Sequence, residues 1–406
     1  MPPVRAARLW SSSPVPGDAR RERASLGERN VNRRLRLRRV APVALLGLAA
    51  LAPLGFSASA DLLNDMVVAA VYVVMALGLN IVVGFAGLLD LGYVAFFAIG
   101  AYTAAYFASD FWYSAGHDGQ GVAILVGEPA SQLPGIHVNF LLVFVLAVAA
   151  TSVAGALIGV PTLRLRGDYI AIVTLAFGEI IGQVVAKGSD IPVFGGTLTA
   201  GKLSIGPIDK IDLPLLEPFE ALDLRPWYWF ALALVALVLV VNVRLRDSRV
   251  GRAWIALRDD EGAAAGAGIP IARTKLLAYA TGAGIGGVAG AFFASYLSVV
   301  NADQFQFSFS IFVLSMIVVG GLGSLRGVVV GAIVLSAINT YLLPDVLHSL
   351  PSRIGLDFDF AEITSGVFGA IIVLVMLLRP EGLVPAGRPD AGRSVRRHPH
   401  GGTLRA

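Results

Sequence analysis

The 406-residue chain contains no cysteine, which excludes disulfides, thiolate nucleophiles and cysteine-held metals. Charge is also scarce, at 15% Asp, Glu, Lys and Arg, where a soluble domain carries about 25%. Too little polar side chain is available to cover a water-facing surface. Five scattered histidines and no Ser/His/Asp arrangement leave covalent catalysis, a bound metal and a cofactor without support. What the chain has in abundance is apolar sequence: 56% hydrophobic residues and 46 glycines, with a mean hydropathy of +0.72. Its solvent is expected to be largely lipid.

Runs long enough to cross a ~30 Å hydrocarbon layer stand near 40–57, 66–84, 91–109, 139–160, 169–186, 227–243, 275–297, 310–322, 327–343 and 363–379. The expected fold is all-α, a polytopic transmembrane bundle of about ten helices. Lys and Arg are retained on the cytoplasmic side, so the basic residues give an independent check. With the N-terminus inside, the inner segments hold 27 of the 32 basic residues and the outer segments hold Lys187, Lys202, Lys210, Arg225 and Arg353. Both termini are therefore expected in the cytoplasm. The net charge of +4 sits in blocks between apolar runs, which reads as membrane topology rather than a nucleic-acid surface.

The first 39 residues, rich in Arg, Ser and Pro, read as a disordered basic cytoplasmic arm, and residues 384–406 as a disordered cytoplasmic tail. Residues 40–383 form the expected permease domain, with an external loop at about 187–226 and a cytoplasmic loop at about 244–274. Arg38-Arg39, the apolar stretch Ala41 to Phe56 and Ala58-Ser59-Ala60 imitate a cleavable signal peptide. The long basic arm and the bundle that follows favour a retained first helix. Two further strings are decoys. Gly196 to Lys202 has phosphate-loop spacing but places Leu203 where a magnesium-binding hydroxyl belongs. Gly282-Ala-Gly284-Ile-Gly286-Gly287 fits a dinucleotide fingerprint, yet inside an apolar span the ladder Gly282, Gly286, Gly290 reads as helix packing, with Gly323, Gly327 and Gly331 repeating it.

Three stretches are unusual for membrane filler. From Gly78 to Gly92, glycines interrupt apolar sequence together with Asn80 and Asp90. This is either a broken helix lining a wet cavity, with Asn80, Gly84 and Gly87 along a substrate path, or a tight inner turn. From Arg164 to Glu179, Asp168 suits a helix start. Thr174 joins the candidate path, and Glu179 falls roughly 16 Å further along a helix, near mid-membrane. A carboxylate at that depth is a functional candidate, or it bonds a neighbouring helix or sits in a vestibule with Gln183. From Arg244 to Lys275, charges alternate with Ala, Leu and Ile at amphipathic-helix spacings, ending in Gly268-Ile269-Pro270. Such helices suit docking into another protein's groove.

With those strings, above all Leu-Arg-Leu-Arg-Gly-Asp-Tyr followed by Gly178-Glu179, the chain from about Met66 to Leu383 resembles the permease subunit of bacterial branched-chain amino acid ABC importers. The resemblance implies a half-transporter in the bacterial inner membrane, performing no covalent chemistry itself. Its implied partners are a second permease subunit, two cytoplasmic ATP-binding subunits and an extracytoplasmic substrate-binding protein. It also implies that Arg252 to Gly268 couples to the ATPases, with Arg252, Arg258, Asp259, Asp260, Glu261, Gly266 and Gly268 as contact residues. The alternatives are an ABC permease for urea, amides or other amino acids, and an ion-coupled secondary transporter using Glu179.

Overall fold

The computed structural model describes residues 47, 49–55, 61–112, 121–126, 133–165, 167–193, 196–212, 219–220, 223–340, 369–370, 373–375, 377–379 and 382–384. The basic arm, the Ala58-Ser59-Ala60 ending, nearly all of the C-terminal tail and most of the expected spans 40–57 and 363–379 lie outside them. The chain divides into two units, Met1–Gly55 and Phe56–Ala406. In the first, a 3-10 turn covers Ala52–Gly55.

The second unit is helical. Helix α1 (Asp61–Asn80) runs on through a π-helical turn, Ile81–Phe85, and α2 (Val94–Phe107) follows a non-helical stretch. Next come α3 (Phe140–Thr162), α4 (Asp168–Ala186) and α5 (Leu224–Asp247). Two short helices, α6 (Arg249–Asp259) and α7 (Glu261–Gly266), precede the long α8 (Ile271–Leu297), and α9 (Phe307–Gly320) and α10 (Leu325–Ala337) close the bundle. Side-chain caps set several starts: Asn139, Asp223, Ser248, Asp260 and Ser324 each accept a hydrogen bond from a first-turn N–H.

Five helices are long and apolar enough to cross a membrane, and the apolar stretches Val94–Phe107, Phe307–Gly320 and Leu325–Thr340 are shorter. Together they occupy eight of the ten expected spans. The chain is thus a multi-pass membrane protein.

Helix α8 is the hub, packed against α1, α2 and α3, while α1 also packs on α5 and α10. Lipid tails are as apolar as Leu, so helices in a membrane are held by close contact rather than by exclusion from water. The glycine ladder supplies that contact. A Cβ on Gly290 would overlap the Phe97 carbonyl oxygen of α2, and one on Gly100 would overlap the Gly287 carbonyl. Gly282 faces Gly78 of α1 and Val82 of the π turn. In the α9–α10 hairpin Gly327 packs on Gly320 and Gly331 on Met316, as the second ladder requires, but Gly323 lies in the turn itself with φ +78°.

A small β layer caps the bundle at the C-terminal end of α8. Strand β1 (Ala108–Ser109) pairs antiparallel with β3 (Ile136–Val138), and β2 (Val122–Ile124) pairs parallel with β3. Isolated bridges join Ser109 to Ile208 and Ile205 to Val300. A separate hairpin pairs β4 (Pro192–Val193) with β5 (Gly196–Thr197), and β5 opens the phosphate-loop decoy. There Thr199 Oγ1 donates to Val185 O and accepts from Gly201 N–H, which makes the loop a brace for the end of α4.

Candidate functional site

The site lies at the opposite end of α8 from the β layer. Twenty-seven helical residues separate the two ends, or about 40 Å at 1.5 Å per residue. Here α6 and α7 fold back as two amphipathic turns. Trp254 is fully buried and its Nε1–H donates to Thr274 O over 2.9 Å, pinning α6 to the start of α8. Lys275, 1% exposed, reaches Glu261 Oε1 over 2.9 Å and pins α7 to the same helix. Glu261 is thereby turned inward, to a partner within the chain. Arg252 is exposed and donates to Asp247 O, and Asp259 is exposed. Asp260 caps α7 through Ala263 N–H. Gly266 and Gly268 face open space, and Gly268 takes φ +84° as the helix closes. The outward face of the segment is therefore Arg252, Ile255, Arg258, Asp259, Asp260 and the small residues of α7.

The Gly78–Gly92 stretch breaks the helical run between α1 and α2, as both readings of it expected. After the π turn, Leu88, Asp90 and Gly92 are buried although their backbone is not helical. Buried backbone that is not helical needs hydrogen-bond partners from neighbouring elements. Thr174 of α4 provides one: its Oγ1 accepts from Leu91 N–H over 3.1 Å and donates to Ala171 O. Gly178 lets α4 approach Gly92, and Ser310 Oγ accepts from Val94 N–H over 2.9 Å. Asp90 Oδ1 accepts from Gly92 N–H, while Oδ2 has no hydrogen-bond partner among the described residues.

The structure brings the broken helix to the amphipathic segment. Arg258, at the end of α6, donates from Nη1 to Gly84 O. Asn80 Oδ1 accepts from Gly323 N–H in the α9–α10 turn over 3.0 Å. Of the residues expected along a substrate path, Gly84 and Gly87 thus meet Arg258, Asn80 meets Gly323, and Thr174 anchors the break. Glu179 stands apart, exposed on the outer face of α4 beside exposed Ile180 and Gln183. Among the described residues, no group of three or more His, Asp or Glu is placed to hold a metal ion.

Sequence comparison fits this geometry to known proteins. The model of the family described as the branched-chain amino acid transport system permease component matches residues 62–376. The chain belongs to this family. The permease is 36% identical over 344 residues to the high-affinity branched-chain amino acid transport system permease protein LivM of Salmonella typhimurium, a match covering 79% of this chain and 69% of that one. The Escherichia coli LivM is also 36% identical, over 86% of this chain and 75% of its own. The LivH permease protein of Escherichia coli is 28% identical over 38% of this chain and 44% of its own. No solved structure matches. As a member of a permease family, the chain is a transport subunit rather than an enzyme.

At the far end of the permease, sequence reasoning missed His137. It is 1% exposed, with Nδ1 2.7 Å from Asp209 Oδ2 and Nε2 3.2 Å from Pro134 O. Burial pushes the Asp209 carboxyl above its ordinary value of 3.8, against the lowering effect of His137, and nearby Asp110 pushes the same way as burial. No local signal marks this pair, because its members are 72 residues apart. Lys275 was visible only as the last cation of a loop, and its burial follows from Glu261 lying on the helix folded against it.

Proposed function

We propose that this chain is one permease half of an ATP-driven importer of branched-chain amino acids. The observation that carries the reading is the family match over residues 62–376, joined by likeness to two LivM proteins along most of each chain. On this reading the protein sits in a bacterial inner membrane with both termini and the α6–α7 segment in the cytoplasm, in keeping with the excess of Arg and Lys in those segments. Two ATP-binding subunits supply hydrolysis, and one of them receives the exposed face of α6 and α7. A substrate-binding protein docks at the β-layer end. The second permease is a relative of this chain, which the shorter likeness to LivH supports.

Glu179 and Gln183 give the path its polar element. A carboxylate on an apolar helix is costly against lipid, so the α4 face that carries it belongs against the second permease or the path between the two. There Glu179 would attract the ammonium end of an amino acid while apolar neighbours such as Ile172 and Ile180 meet its side chain. The test is uptake of labelled leucine, isoleucine and valine into proteoliposomes holding the full assembly. Uptake is expected to require internal ATP and external binding protein. Transport by this chain alone would overturn the reading, and an assembly that ignores all three amino acids would remove the cargo.

A further inference from the structure

Trp254 and the Lys275–Glu261 pair fasten the amphipathic segment to α8, but neither reaches the broken helix. Arg258 does. Its Nη1 donates to Gly84 O, at the C-terminal end of the helical run that starts at Asp61, where carbonyl groups left without helical partners carry partial negative charge. The stem of the same side chain lies across Gly87, where a Cβ would come 2.7 Å from Arg258 Cγ, and Gly87 holds φ +70°. On the other side a Cβ at Gly323 would come 2.8 Å from Nη1. Asn80 completes the junction by accepting from Gly323 N–H and by occupying the space beside Gly84. Asn80 Nδ2 is buried there with no hydrogen-bond partner among the described residues, so the junction leaves one donor for another arrangement to satisfy.

Resting on the function proposed above, we propose that Arg258 is a positioning residue. It acts as a strut that delivers movement of α6, driven by the ATPase, to the broken helix and to the α9–α10 turn. Although Arg258 is itself exposed, its Nη1 is held by its own chain, and Arg252, Ile255 and Asp259 carry the ATPase contact. Arginine suits the place because its planar fork, unlike a lysine ammonium, spans two neighbouring backbone elements with fixed geometry.

The test uses the whole assembly in proteoliposomes and reads two quantities, the ATPase subunits retained on purification and the amino acid taken up per ATP hydrolysed. Arg258→Ala and Gly323→Ala are expected to keep the ATPases at wild-type stoichiometry. Uptake per ATP should fall about tenfold in both, the scale of one lost charge-assisted hydrogen bond. Arg258→Lys should fall between them and wild type. Gly323→Ala leaves every residue of α6 and α7 unchanged, so it separates the strut from the docking face. Unchanged uptake per ATP in Arg258→Ala would overturn the strut. So would loss of the ATPases from Arg258→Ala alone, which would make Arg258 a docking residue and leave the proposed function standing. ATP-independent uptake by the wild type would sink both.

Discussion

A buried histidine with an acceptor at each ring nitrogen is an ordering device, and His137 fixes β3 to the loop that carries Asp209. The loop is also bridged to β1 and to Val300 beyond α8, so the His137–Asp209 contact and these bridges together tie the loop to the ends of α2, α3 and α8. Because the Asp209 carboxyl is raised, the folded state holds that proton more tightly than the unfolded chain does. Its contribution is full below the ordinary value of 3.8 and is lost as pH rises through the folded value. Asp209→Asn, which does not titrate, should flatten the stability profile of the purified protein as pH rises from the ordinary carboxylate range toward neutrality. It should also cost about 1–3 kcal/mol at neutral pH, where a buried partner is weakened. Thermal melts of the two proteins across that range check both statements, and a profile as steep in the variant as in wild type would remove the Asp209 account.

Among the helices, α8 decides the packing, and glycine rather than bulk is its means. Gly290→Ala places a methyl group in the Phe97 backbone carbonyl, and neither helix can retreat without leaving its other neighbours. The expected cost is about 1–3 kcal/mol, the usual penalty for overpacking, read as a lower melting temperature with insertion intact. Gly266→Ala, which meets open space, is the matched control and should melt as wild type does. This ladder was legible in the sequence, as were the apolar runs, because both are periodic along the chain. The break after Phe85 was legible too, since Asn80, Gly84, Gly87 and Asp90 interrupt an otherwise apolar stretch. Its partners were not: Arg258 lies 174 residues from Gly84, and Gly323 lies 243 from Asn80. Composition marks where a helix cannot continue, but only the fold says which distant side chain takes the freed carbonyl. The β layer escaped notice for a related reason, its strands being two or three residues long and below any period.

Across the whole molecule the decisive asymmetry is that the α6–α7 segment and the β layer stand at opposite ends of α8, with Glu179 on an outer face between them. A chain without cysteine is well suited to test that arrangement, because any single cysteine introduced is the sole thiol. Lys202→Cys, on the exposed loop beyond β5, should react with a membrane-impermeant maleimide added outside intact cells. Gly266→Cys should react only in inverted vesicles, and should lose most of that reactivity when the ATPase subunits are bound. Glu179→Cys, if it faces the path and not lipid, should react from one side in the resting assembly and shift sides when a non-hydrolysable ATP analogue holds the ATPases closed. Labelling of Gly266→Cys from outside would invert the topology. Unchanging protection of Glu179→Cys in every state would instead place α4 against lipid or a static interface, and the polar path would then have to be built from the broken helix alone.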